Sequence, residues 1–192
     1  MLTIRFSILL ILILFSSVFC NLKNKIGEYQ YNDTKALLLT IDQTYQNSND
    51  FDIKIQACQD AIRVLNDYLD KMSGGEWARV ARTSLASWKT REKSLYQEIT
   101  YLRDKLFGKA ERAAVEYSRS IHPFSRIENM NMRTHEEEKS GGKILLFITY
   151  DVRMRGMIIG EDIYRLKVTV PGFISMENKS TIIQKDDILA YE

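Results

Sequence analysis

The chain has 192 residues, a formal net charge of +2 and 45% hydrophobic residues, with ten tyrosines and eight phenylalanines. This composition excludes an intrinsically disordered chain, which would be poor in aromatic residues and high in net charge. The near balance of charge argues against binding to duplex nucleic acid, which demands a strongly basic surface. Two cysteines are too few for a disulfide framework. The length suffices for one domain or two small ones.

The N-terminal segment is an apolar run at residues 8–20, preceded by the positive charge of Arg5. A membrane-spanning helix needs about 20 apolar residues, and this run is shorter and ends in small polar residues. A positive start, a short apolar core and a small-residue end are typical of a secretory signal. We therefore predict a signal peptide or lipoprotein signal at residues 1–20, and an exported chain that works in the cell envelope.

Three outcomes remain open for this segment. In the first, Cys20 is the lipid-bearing first residue of a lipoprotein, because residues 17–20 resemble a lipobox, although Phe19 stands where a small residue is usual. In the second, the segment is removed before Asn21 and the chain is periplasmic or secreted. In the third, it stays as an uncleaved membrane anchor. Cys20 is the candidate lipidation site.

A helical domain is predicted at residues 33–122, after a polar tether at 21–32. Its first helix starts at the Asp33-Thr34 cap and ends near Tyr45. Its second and third helices carry apolar residues at spacings of three and four, over residues 51–72 and 76–121. A proline disfavours helical backbone in the residue before it, so the third helix ends at His122-Pro123.

The two last helices differ in length, at about 33 Å and about 69 Å for a rise of 1.5 Å per residue. An antiparallel hairpin therefore covers only the first half of the long helix. The stripe in its second half has to pack on another protein, a second copy or the C-terminal domain, unless the first helix or a bend at Gly108 covers it. We expect an aspartate in this stripe to abolish association without unfolding. The candidate partner-binding residues are Leu95, Ile99, Leu102, Leu106 and Tyr117.

The remaining chain is predicted to be a polar linker at residues 123–142 and a small antiparallel β-domain at 143–192. The second region is rich in β-branched and aromatic residues, and its apolar and polar positions alternate. Turn residues divide it into four or five strands, with one turn at Pro171-Gly172. The fold class is α+β: an N-terminal signal or anchor, a helical hairpin or three-helix coiled-coil-like bundle with one long helix, then the β-domain.

Catalytic motifs are sparse. The sequence contains no P-loop, no nucleophile elbow and no zinc-binding His-Glu-x-x-His pattern. Three glutamates follow His135, but consecutive residues do not easily converge on one cation. We therefore predict no catalytic residue, no metal site and no cofactor.

We interpret the chain as a non-catalytic interaction or scaffold module of the cell envelope, exported or lipid-anchored. It would bind a protein partner or itself through the long helix and the β-domain, attach to the membrane by its N-terminal lipid or anchor, and bind no nucleic acid. One alternative is a ligand-binding module with a pocket formed by Tyr150, Tyr164 and Phe173. Another is an enzyme with an unrecognised site that uses scattered residues such as His122 and His135.

Overall fold

The computed structural model describes residues 2–140, 142–157, 162–175 and 177–191, and it describes their side chains except those of 2–18, 20 and 140. The chain is α+β, as predicted. The helices are α1 (Leu2–Asn47), α2 (Phe51–Lys71) and α3 (Glu76–Ile121). The strands are β1 (Ser125–Ser140), β2 (Lys143–Gly156), β3 (Ile163–Ser175), β4 (Ser180–Ile183) and β5 (Leu189–Tyr191), and a short 3-10 helix (Lys185–Asp187) precedes β5.

The chain divides into two compact units. One contains residues 1–48 and 52–94, and the other contains residues 49–51 and 95–192, so α3 contributes to both. The predicted signal at residues 1–20, including the candidate lipidation site Cys20, lies outside the residues whose side chains are described, apart from Phe19. Over the described part of the chain, no helix has an apolar segment of the length that crossing a membrane requires.

The first unit is a helical bundle in which α1 packs further toward its N-terminus than the sequence predicts. The tether prediction for residues 21–32 is wrong, because α1 is continuous through them. Tyr31 is buried, and its ring lies 5.5 Å from that of Tyr68 and 5.3 Å from that of Trp77. The Tyr68 hydroxyl donates to the carbonyl of Gly27 at 3.1 Å. This polar segment thus packs through one glycine and one aromatic side chain. Two such residues do not produce the repeating apolar pattern by which a helix is predicted.

The helices α2 and α3 occupy the predicted ranges to within one residue, and α3 runs through Gly108 without a break. Their agreement with prediction follows from long apolar stripes that repeat every three or four residues. Cys58 is fully buried in the α2 stripe. Burial raises the pKa of its thiol to about 11, with a further contribution from the Glu92 carboxylate. Its complete burial identifies Cys58 as a packed core residue.

The second unit contains an antiparallel sheet in the order β1-β2-β3-β4, with β5 also paired to β3. The linker prediction is wrong for residues 125–140, which form β1. Among the described strands it pairs with β2 alone, so its free edge and most of its side chains face solvent and can be charged. Register shifts between Ile127 and Asn129 and between Met132 and Thr134 interrupt its alternation. Both features remove the pattern by which strands are recognised.

The prediction of a turn at Pro171-Gly172 is also wrong, because β3 continues through both residues. Gly172 has a different role: a Cβ there would lie 2.9 Å from the carbonyl oxygen of Ile182 and 2.9 Å from Cδ1 of Leu106. Side chains do not tolerate such distances. The glycine therefore permits close approach of β4 and α3 to β3, which sequence cannot distinguish from a turn.

The core of this unit lies between one face of the sheet and the second half of α3. The Tyr150 hydroxyl donates to the carbonyl of Phe107 at 3.2 Å, and Arg103 pairs with Glu137 at 2.6 Å. The buried strand residues are Ile144, Leu146, Ile148, Tyr150, Val152, Met154, Leu166, Val168, Val170 and Ile174. We call this side of the sheet the inner face and the opposite side the outer face.

Candidate functional site

The structure brings four of the five predicted partner-binding residues together in the core of the sheet-containing unit. Their exposed fractions are 6% for Leu95, 7% for Ile99, 2% for Leu102 and 0% for Leu106, and Tyr117 is half-buried. Leu106 packs against β3 at Gly172, so the chain's own C-terminal sheet, one of the three covers that the helix lengths allowed, covers the stripe at that position. These four side chains are thus buried within the unit.

The three aromatic residues predicted to line a pocket lie apart. Tyr150 is buried on the inner face, where burial and then the nearby Glu111 carboxylate raise its pKa to about 12. Tyr164 stacks on His122 with 4.1 Å between ring centroids. Phe173 lies on the outer face with the Lys143 ammonium 5.1 Å from its ring centroid. Phe173 therefore lies on the opposite face of the sheet from Tyr150 and Tyr164.

His135 and the three glutamates that follow it are divided between the two faces of the sheet. His135 packs on the ring of Phe107 at 5.4 Å, on the inner face with Glu137. Glu136 and Glu138 project from the outer face, because successive residues of a strand alternate. Across the described residues, no three histidine, cysteine or acidic side chains are grouped so that they could hold a metal ion.

The outer face contains a groove of about 400 Å³ at one end of the sheet. The strand register forms this groove, because the side chains of two adjacent rows of cross-strand neighbours both project from the outer face. One row runs through Asn129, Arg153 and Arg165, and the next through Asn131, Asp151, Lys167 and Tyr191. We define the basic groove by its polar lining: Asn129, Asn131, Asp151, Arg153, Arg165, Lys167 and Tyr191.

The positive charges of the basic groove are only partly compensated. Glu128 pairs with Arg153 at 3.2 Å and with Arg155 at 2.6 Å. Within the described part of the chain, Arg165 and Lys167 form no ion pair. Arg153 stands directly opposite Arg165 in the β2-β3 register, and like charges in opposed positions destabilise a sheet. An anion bound across this pair would relieve that repulsion.

The opposite end of the outer face is apolar. Leu145 and Phe173 are cross-strand neighbours, Phe147 is one step along β2, and Ile182 pairs with Phe173 from β4. These side chains are half-buried or, for Ile182, 45% exposed. We define the apolar patch as Leu145, Phe147, Phe173 and Ile182. A row containing the Thr149–Thr169 hydroxyl contact, 3.1 Å long, separates it from the basic groove.

Sequence reasoning missed the basic groove, although part of its signal was visible. The alternation of charged and apolar residues in 162–170 already predicted that one face of that strand is exposed to solvent. The groove also needs the register that sets Arg153 opposite Arg165, and the two asparagines of β1, a strand that had been predicted to be linker. No protein-family model, no curated protein and no solved structure matches the chain. The groove is therefore interpreted from its own geometry.

Proposed function

We propose that this chain is a non-catalytic binding module that holds an acidic segment of a partner protein on the outer face of its sheet. The observation that carries the proposal is the basic groove, in which Arg153 stands opposite Arg165 and three cations face the single lining carboxylate of Asp151, which stands opposite Lys167. Guanidinium groups bind carboxylates through two parallel hydrogen bonds, so arginine suits recognition of aspartate and glutamate side chains.

The other polar groups of the basic groove and the apolar patch suit the backbone and the apolar side chains of such an acidic segment. Asn129 and Asn131 supply amide donors and acceptors for the partner's backbone, and Tyr191 supplies a phenol. The apolar patch offers contact area for apolar side chains beyond the acidic ones. Arginine, tyrosine and phenylalanine are enriched in protein interfaces. Charged pairs across an interface give specificity, and an apolar centre contributes buried contact area.

The site of action belongs to the same proposal. Arg5 and the apolar run at 8–20 support export, with Cys20 as the lipid attachment point or the run as a cleaved signal or an anchor. Intact mass and membrane fractionation of the mature protein test this. A diacyl or triacyl mass that disappears in Cys20→Ala supports the lipoprotein form, and an unmodified chain starting at Asn21 contradicts it.

Fluorescence anisotropy with a labelled peptide of alternating glutamate and leucine tests the groove. We expect saturable binding by the full chain and at least a tenfold loss in the double variant Arg165→Glu/Lys167→Glu. The matched control is Lys105→Glu/Arg119→Glu, which makes the same charge change at exposed positions of α3. Its affinity should stay within twofold of the unmodified chain.

Two outcomes contradict the proposal. Equal loss in both double variants would mean that overall charge, and not the groove, attracts the peptide. Equally tight binding of a duplex DNA of the same charge would mean that the face recognises polyanions without regard to class.

A further inference from the structure

A second concave site lies in the same unit, away from the outer-face groove. It is a cleft of about 480 Å³ between α3 and the edge strand β4. Lys109, Arg112 and Glu116 reach it from successive turns of α3, while Thr181 and Lys185 lie on its other side. We call it the helix–strand cleft. Ile182 of the apolar patch also lines it, but none of the residues of the basic groove does.

Charge is not balanced in the helix–strand cleft. Three cations line it, Lys109, Arg112 and Lys185, against the single carboxylate of Glu116. The Lys185–Glu116 pair is 3.3 Å long with both side chains about two-thirds exposed, so it contributes little. Lys109 and Arg112 are three residues apart on one helix, where like charges repel. The lining therefore holds two positive charges in excess.

Two of the cations are held in place. The partly buried Lys109 ammonium donates to the carbonyl oxygen of Thr181 at 2.5 Å. The Arg112 side chain lies along α3, with Nε donating to the Gly108 carbonyl at 3.1 Å. Donors that are already oriented lose less entropy when they bind a ligand.

The wall of the cleft supplies an uncommitted polar group and an apolar surface. Thr181 is only 3% exposed, and its hydroxyl has no hydrogen-bond partner among the described residues. Ala113, Ile182 and Ile183 form the apolar part of the lining.

We propose that the helix–strand cleft binds a phosphate monoester. The doubly negative phosphate group would balance the two excess charges and accept hydrogen bonds from Lys109, Arg112 and Lys185, because guanidinium and ammonium groups are the usual donors to phosphate. The organic part of the ester would lie against Ala113 and Ile183. This site is independent of the acidic-peptide function proposed for the groove.

Isothermal titration calorimetry of the full chain with phenyl phosphate tests the site. We expect saturable one-to-one binding, and at least a tenfold rise in Kd in Arg112→Gln and in Lys185→Gln. Arg119→Gln removes the same kind of charge from an exposed position of α3, and Lys167→Gln removes a charge from the basic groove. Both should leave Kd within twofold. Thermal unfolding of each variant checks that the fold is intact.

Three results overturn the proposal. The first is the lack of saturable binding at millimolar phenyl phosphate. The second is a rise in Kd in Arg119→Gln or Lys167→Gln as large as that in Arg112→Gln, which would locate the binding elsewhere or attribute it to overall charge. The third is equal affinity for benzoate, because a single carboxylate would then satisfy the cleft and the preference for a doubly charged phosphate would be absent.

Discussion

The two faces of the sheet are made by the same strands and differ completely in character. Along β2, Leu146, Ile148 and Tyr150 are buried against α3, while the residues between them face outward. Further along, Arg153 lies on the outer face between two buried apolar neighbours. Stability is therefore concentrated on the inner face, and recognition chemistry can accumulate on the outer face at little cost to folding.

The largest effect is expected from removing inner-face contacts. Leu106→Ala leaves a cavity in a fully buried position and should reduce the free energy of unfolding by about 2–5 kcal/mol, measured by urea denaturation. Leu102→Asp should unfold the unit, because it buries an unpaired carboxylate. A folded Leu102→Asp variant would contradict the burial of this stripe and restore the sequence-based expectation of an exposed binding surface.

A smaller effect is expected where β3, β4 and α3 approach one another. Gly172→Ala places a Cβ 2.9 Å from Leu106 Cδ1 and from the Ile182 carbonyl oxygen, and such overpacking costs about 1–3 kcal/mol. Gly108→Ala is the control, because a Cβ there has no neighbour within 4 Å and alanine stabilises a helix interior by about 0.5–1 kcal/mol over glycine. Thermal unfolding should move the two variants in opposite directions.

The buried phenol of Tyr150 should make stability depend on alkaline pH. Its folded pKa of about 12 lies above the ordinary tyrosine value of 10.0, so the folded state keeps a proton that the unfolded state loses. Stability contributed by this group is intact below pH 10 and is lost as the pH rises from 10 to 12. Tyr150→Phe should cost about 1 kcal/mol at pH 7 through the lost hydrogen bond to Phe107, and should weaken that alkaline decline. An unchanged decline in the variant would contradict this assignment.

The smallest effects belong to the outer face. Arg165→Thr removes the like charge opposite Arg153 and should stabilise the sheet by about 0.2–1 kcal/mol. Lys167→Thr is the matched change one row away, opposite Asp151, and should destabilise by a similar amount because it removes an attraction. Urea denaturation at low salt measures both. Destabilisation by Arg165→Thr would mean that the opposed arginines are already compensated.

Prediction from sequence succeeded where the signal lies within one element. The stripes of α2 and α3 repeat over many turns, so both helices are recognisable without knowledge of what they pack against. It failed for β1, whose polar composition suits an edge strand as well as a linker, and for residues 21–32 of α1, which pack through Gly27 and Tyr31. The structure of such segments depends on the elements that they pack against, and their own sequence pattern does not indicate a helix or a strand.

Composition and periodicity are local properties, so the amino-acid sequence was enough to predict the α+β class and the extent of the two later helices. Only the tertiary structure decided what covers the second half of α3, since an apolar stripe does not specify its partner. It also decided the candidate site. Arg153 and Arg165 become neighbours through strand register, which pairing and bulges set over distances that no local pattern records.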